Sequence, residues 1–147
     1  MTDFGYGADL SSSKVRWKPG YQRTVYELAI KHEDLKAQWE DFCWDIDLTF
    51  APSDETIADW VDTYEDDTGN WSGAEGLLTS IINREKFGNE DIFVYEDLCL
   101  FVPARIPTDD ADRLKRPTML EIQSILADYL NPLLEEPISI EFLEINN

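Results

Sequence analysis

Residues 53–66 read SDETIADWVDTYED, and this stretch decides how the fold is interpreted. Ser53 is a good N-cap, and the two acids that follow it would lie in a first helical turn, where the helix dipole favours negative charge. Apolar residues recur at helical spacing, so we expect a helix with this core face: Ile57, Trp60, Val61 and Tyr64. The opposite face would present four carboxylates to solvent: Glu55, Asp59, Asp62 and Asp66.

The predicted helix lies in a longer acidic segment, residues 37–83, which has twelve acidic residues and no Lys or Arg. The whole chain has 31 acidic and 12 basic residues, for a formal net charge of −19. The same segment holds four of the five tryptophans, which is too much aromatic mass for a disordered tail. A folded face with charge of one sign predicts a positively charged partner. Nucleic acids and anionic membranes would be repelled, so we expect direct binding to neither.

The length of 147 residues predicts a single acidic domain over 1–147. Residues 1–13 are polar and without a period, which indicates a flexible N-terminal arm. The first residues show no basic n-region followed by an apolar h-region, and no apolar run approaches the roughly 18 residues of a membrane span. These patterns predict a cytoplasmic protein.

The remaining patterns predict an α+β fold. Alternation favours strands at about 22–31 and 44–50, a hairpin at 92–102 and a last strand near 138–142, with helices at about 33–43, 53–66, 73–85 and 119–130. A heptad-like helical seam through 25–46 is the competing interpretation of the first of these segments. We therefore expect a mixed sheet of about four to five strands packed by three to four helices.

No catalytic motif is evident. His32 is the one histidine, and its charged neighbours Lys31, Glu33 and Asp34 indicate a solvated end of an element. The sequence has no Gly-x-Ser-x-Gly elbow, no P-loop and no dinucleotide fingerprint. We therefore predict no catalytic residue and no cofactor.

Asp45 and Asp47 are the strongest candidates for a metal site. On a strand at 44–50 they would project from one face, and Mg²⁺ and Ca²⁺ prefer oxygen ligands. A solvent-facing strand surface explains the same pattern, so no metal site is predicted. A small metal-dependent enzyme built on these two residues is kept as the alternative function.

The tryptophans divide into core and interface candidates. Trp44 and Trp60 fall on the apolar faces of their predicted elements, which indicates core positions. The spacing of apolar residues does not place Trp39 or Trp71 clearly on the core face of a predicted element. Because Trp is enriched among binding hot spots, we predict that these two contribute to an interface.

Charge and pattern together favour a non-catalytic inhibitor that binds the basic, nucleic-acid-binding surface of another protein. A nucleic-acid mimic of the anti-restriction or anti-CRISPR type, or an immunity protein against a nuclease toxin, would have this composition. The other alternative is an adaptor subunit whose acidity is incidental. The predicted partner-binding residues are Asp45, Asp47, Glu55, Asp59, Asp62, Asp66, Asp67, Trp39 and Trp71.

Overall fold

The computed structural model describes residues 2–10, 15–45, 53–65, 72–88, 92–96, 99–103, 111, 118–137 and 141–146. The described helices are α1 (Tyr21–Ala29), α2 (Glu33–Asp45), α3 (Asp54–Asp62), α4 (Gly73–Phe87) and α5 (Met119–Leu130), followed by a short 3-10 helix (Asn131–Leu133). The described strands are β1 (Thr2–Asp9), β2 (Val94–Glu96), β3 (Cys99–Pro103) and β4 (Glu141–Asn146). Within these ranges no helix has both the length and the apolar composition needed to cross a membrane.

The contacts divide the chain into two compact units, and the boundary falls inside α4. The helical unit comprises Pro19–Ile81, and the sheet unit comprises Met1–Lys18 with Ile82–Asn147. The prediction of one domain over 1–147 stays a prediction.

The helical unit is built around an aromatic cluster. Trp39 of α2 and Trp60 of α3 lie edge to face, and Tyr26 of α1 contacts both rings. Tyr64, just after α3, packs against Trp60, and its hydroxyl lies 3.1 Å from the Ser80 hydroxyl of α4. Aromatic pairs in these geometries are more stable than their buried area alone implies. The cluster therefore fixes the helices that carry the acidic residues.

The sheet unit contains a four-stranded antiparallel sheet in the order β2-β3-β1-β4. β1 is an inner strand, paired with β3 from Gly5 to Asp9 and with β4 from Thr2 to Gly7. α5 lies against β1, and its Ile122, Leu126 and Leu130 are buried. The predicted hairpin at 92–102 is confirmed as β2 and β3, and the predicted helix at 119–130 as α5.

Asn83 connects α4 to the segment leading into β2. This side chain is 2% exposed, and its amide nitrogen donates to the Phe93 carbonyl at 2.7 Å. Its amide oxygen accepts from the backbone nitrogens of Ile92 and Phe93 at 3.2 and 3.0 Å. One buried amide therefore satisfies three backbone groups that the sheet leaves unpaired.

The predicted α+β fold with a mixed sheet of four to five strands is wrong. Helices carry most of the regular structure, with five among the described residues, and every described strand pair is antiparallel. The segment predicted as a strand at 22–31 is α1, which begins after Gly20, a residue with a left-handed φ of 78°. The strand predicted at 44–50 cannot begin where expected, because α2 continues through Trp44 to Asp45. Residues 46–50 lie outside the described ranges.

The prediction of a flexible arm over residues 1–13 is also wrong for Thr2–Asp9, which form β1. The physical reason is that an inner strand of an antiparallel sheet is stabilised by pairing on both sides. Both partners lie roughly 90 or more residues away along the chain, so the local pattern carries little of the signal.

Candidate functional site

α3 begins and ends with local hydrogen bonds that the sequence encodes. The Ser53 hydroxyl accepts from the Thr56 backbone nitrogen at 3.2 Å, as an N-cap does. Asp54 and Glu55 occupy the first turn, near the positive end of the helix dipole. At the other end the Thr63 hydroxyl donates to the Asp59 carbonyl at 2.6 Å. The helix from Asp54 to Asp62 is therefore set by its own sequence.

The two faces of α3 separate as predicted. Ile57, Trp60 and Val61 are at most 4% exposed, and Tyr64 is 3% exposed. The carboxylates of Glu55, Asp59 and Asp62 are exposed. The prediction of an apolar core face opposite a solvated acidic face is confirmed for these residues. We call Glu55, Asp59 and Asp62 the α3 acidic face.

The helical unit has little positive charge to offset these acids. Its sequence, Pro19–Ile81, contains fifteen acidic residues and only Arg23, Lys31 and Lys36 as bases. The Arg23 guanidinium lies 2.7 Å from an Asp54 carboxylate oxygen, and Lys36 lies 4.0 Å from Glu40. Asp54 is thus partly neutralised within the unit, and we do not count it in the α3 acidic face.

Two carboxylates, those of Asp62 and Glu75, interact near the end of α3. Burial is the main cause that raises the pKa of Tyr21 to about 12, and the nearby carboxylates of Asp62 and Glu75 contribute to the same rise. Burial is also the main reason that the pKa of Glu75 lies above its ordinary value, and Asp62 adds to the effect. Gln22 donates to Asp62 at 3.5 Å, a long and weak hydrogen bond. The Asp62 carboxylate therefore lies near the half-buried Glu75, whose pKa is raised chiefly by burial.

The other predicted site residues fall in different places. Trp39 is 7% exposed and belongs to the aromatic cluster, so its assignment to a surface interface is wrong. Its indole packs against Trp60 and so joins α2 to α3. Asp45 is the last residue of α2, whereas Asp47, Asp66, Asp67 and Trp71 lie outside the described residues. In the described part of the chain α3 ends at Asp62, four residues before Asp66.

A metal site finds no support in the part of the chain that the structure describes. There, no group of three or more His, Cys, Asp or Glu side chains is placed to hold a metal ion. The geometry proposed for Asp45 and Asp47 required both on one strand face, and a helical Asp45 does not meet that requirement.

The structure reveals an exposed residue that the sequence patterns assigned to the core. Trp44 is 86% exposed near the end of α2. Glu40 and Asp41, four and three residues earlier, are also exposed, and side chains at these spacings lie on one helix face. We call Glu40, Asp41 and Trp44 the α2 outer face. The helical spacing of these three residues was a usable signal, but the alternation over 44–50 concealed it.

The described surface of the helical unit thus has two features: the α3 acidic face, and the exposed indole of Trp44 beside two carboxylates. Comparison with protein-family models, with curated proteins and with solved structures found no match.

Proposed function

We propose that this chain is a non-catalytic acidic inhibitor that binds the basic, nucleic-acid-binding surface of another protein in the cytoplasm. The observation that carries the proposal is the α3 acidic face. Its carboxylates are solvated, while the opposite face of the same helix is buried in an aromatic core. A charged surface supported in this way suits protein recognition.

Preorganisation supports a binding role for α3. The ring of Trp60 contacts Trp39, Tyr26 and Tyr64, so rotation or fraying of the helix would disrupt several aromatic pairs. A partner would therefore order only side chains, and not backbone, when it binds to α3. Binding to a surface that is already ordered avoids much of the entropic cost of association.

The spacing of the charges limits how closely α3 alone can imitate DNA. Glu55 and Asp62 are separated by about 10.5 Å along the helix axis, so the three carboxylates occur about every 5 Å. Phosphates of one DNA strand occur every 3.4 Å or so along the axis. Acids on other elements of the helical unit must therefore contribute if the surface imitates nucleic acid. The sequence of that unit contains fifteen acidic residues in all.

The partner that fits this surface is a nuclease or another effector with a basic groove. Exposed carboxylates of this kind act mainly by steering association, and their effect falls as salt screens them. An immunity protein against a nuclease toxin and a DNA mimic directed at a restriction or CRISPR effector would both use such steering. Both need the negative surface and neither needs a catalytic residue.

The experiment is a pull-down from the source cells at about 50 and about 300 mM salt, with the retained proteins identified. Wild type is compared with the triple variant Glu55→Gln, Asp59→Asn, Asp62→Asn. The matched control is Asp128→Asn, Glu135→Gln, Glu136→Gln, which removes the same charge from exposed positions of the sheet unit. We expect one basic nucleic-acid-binding protein to be retained by wild type and the control at low salt, and poorly by the triple variant. Equal retention by all three would contradict the proposal.

A further inference from the structure

We infer that the α2 outer face is a receptor for arginine, and that the partner presents an Arg side chain to Trp44 between Glu40 and Asp41. This inference rests on the proposed function, because it specifies the residue that a basic partner uses at a second position of the helical unit.

The exposure of Trp44 is the first step of the argument. Trp39, Trp60 and Trp44 are the described tryptophans of the helical unit; the first two are at most 7% exposed, whereas Trp44 is 86% exposed. Leaving an indole in water is less favourable than burying it, and its exposed flat face is available to a partner. Trp44 therefore contributes to binding more than it contributes to folding.

The position of Trp44 on α2 is the second step. Trp39 points into the aromatic cluster, and five helical residues later Trp44 is rotated by about 140° from it. Glu40 and Asp41 share that outward direction, since they precede Trp44 by one helical turn. The helix thus places an aromatic ring and two carboxylates together on the side away from its own core.

Charge complementarity indicates which side chain of a partner would bind to the α2 outer face. The ring face of Trp attracts cations more strongly than that of Tyr or Phe, and Arg is found over such rings more often than Lys. A planar guanidinium can stack on the indole while its N–H groups donate to the neighbouring carboxylates. A lysine ammonium is a strongly hydrated point charge that cannot make both contacts with the same geometry. The face should therefore prefer arginine to lysine.

Lys36 does not remove this preference. Its ammonium lies 4.0 Å from Glu40, and both side chains are more than half exposed. Exposed pairs of this kind contribute little to stability. An incoming guanidinium can replace Lys36 at Glu40 with little loss, and Asp41 is a second acceptor.

The test is calorimetric titration of the full chain with nona-arginine and with nona-lysine at about 50 mM salt. The two peptides carry the same charge, so the α3 acidic face attracts both. We expect wild type to bind nona-arginine about two- to fivefold more tightly than nona-lysine. Trp44→Ala should bring this ratio close to one, and Trp44→Phe should retain part of it. Leu120→Ala, which alters an exposed apolar side chain of α5, is the control and should keep the wild-type ratio.

A second pair of variants separates this inference from the proposed function. Glu40→Gln with Asp41→Asn should lower the preference for nona-arginine over nona-lysine. Glu55→Gln with Asp59→Asn should weaken the binding of both peptides and leave that preference unchanged. The inference would be overturned if wild type bound the two peptides equally tightly, or if Trp44→Ala kept the wild-type preference for nona-arginine. Neither result affects the pull-down with the α3 variant, which tests the proposed function by itself.

Discussion

The indole rings of Trp39 and Trp60 meet edge to face, with centroids 5.4 Å apart and an interplanar angle of 65°. This contact joins α2 to α3, and the Tyr26 ring of α1 lies 4.9 Å from Trp39 and 6.2 Å from Trp60. The three helices share one aromatic cluster. The exposed acids of α2 and α3 are therefore carried by a fixed framework.

Replacing Trp60 should destabilise the protein strongly, whereas replacing Trp44 should not. Trp60 is 4% exposed and contacts three other rings, so Trp60→Ala should reduce the free energy of unfolding by about 3–5 kcal/mol. Trp44 is 86% exposed, so Trp44→Ala should change it by less than about 0.5 kcal/mol. Urea denaturation followed by circular dichroism measures both. Equal midpoints for the two variants would contradict the packing described for α3.

Asn83 gives a second, independent prediction about the sheet unit. Asn83→Ala leaves the backbone groups of Ile92 and Phe93 without their buried partner, and each such group costs about 1–3 kcal/mol. We expect a loss of at least about 2 kcal/mol in the free energy of unfolding. Gln123→Ala, at an exposed position of α5, is the control and should have little effect. A wild-type denaturation midpoint for Asn83→Ala would show that the amide does not hold this segment.

Glu75 makes the stability of the helical unit depend on pH. Burial raises the pKa of Glu75 above its ordinary value of 4.5, so the folded state binds this proton more tightly than the unfolded state does. Folding stability is therefore lost as the pH rises from the unfolded pKa through the folded one. Glu75→Gln removes this loss and should raise the melting temperature at pH 7, with little effect near pH 3.5. The exposed Glu65→Gln should show no such difference between the two pH values. A Glu75→Gln effect of the same size at both pH values would contradict this account.

The isolated protein should bind neither DNA nor RNA. Its net charge is −19, and a polyanion gains no counterion release from an acidic surface. Gel-shift titration with single- and double-stranded oligonucleotides at physiological salt measures this directly. A dissociation constant below about 1 μM would contradict this prediction. It would mean that the basic residues form a nucleic-acid site despite the negative net charge.

The sequence predicted α3 well because its signals are local. The Ser53 cap, the acids in the first turn and the helical spacing of Ile57, Trp60 and Val61 all favour the same helix. The acidic face followed from the same spacing. α3 ends at Asp62, and Asp66 lies outside the described residues, so the place of Asp66 on that face stays a prediction.

The wrongly predicted segments are of two kinds. In some, the spacing of apolar residues fits both a strand and a helix, and in β1 the pairing strands lie far away along the chain. Tyr26, Leu28 and Ile30 alternate like a strand, yet Tyr26 packs on Trp39 and Trp60 from a helix. Alternation also assigned Trp44 to a core, although α2 continues through it and leaves its ring in solvent. β1 depends on pairing with β3 and β4, which local composition does not encode.

The association rate of the captured partner tests the central claim most directly. We expect Glu55→Gln, Asp59→Asn, Asp62→Asn to slow association at about 50 mM salt and to leave dissociation nearly unchanged, because solvated carboxylates steer a basic partner over long distances. The difference from wild type should shrink at about 300 mM salt, where the Debye length is shorter. Asp128→Asn, Glu135→Gln, Glu136→Gln should retain the wild-type rate more fully. An unchanged association rate with unchanged salt dependence in the α3 variant would contradict the claim that α3 is the binding face.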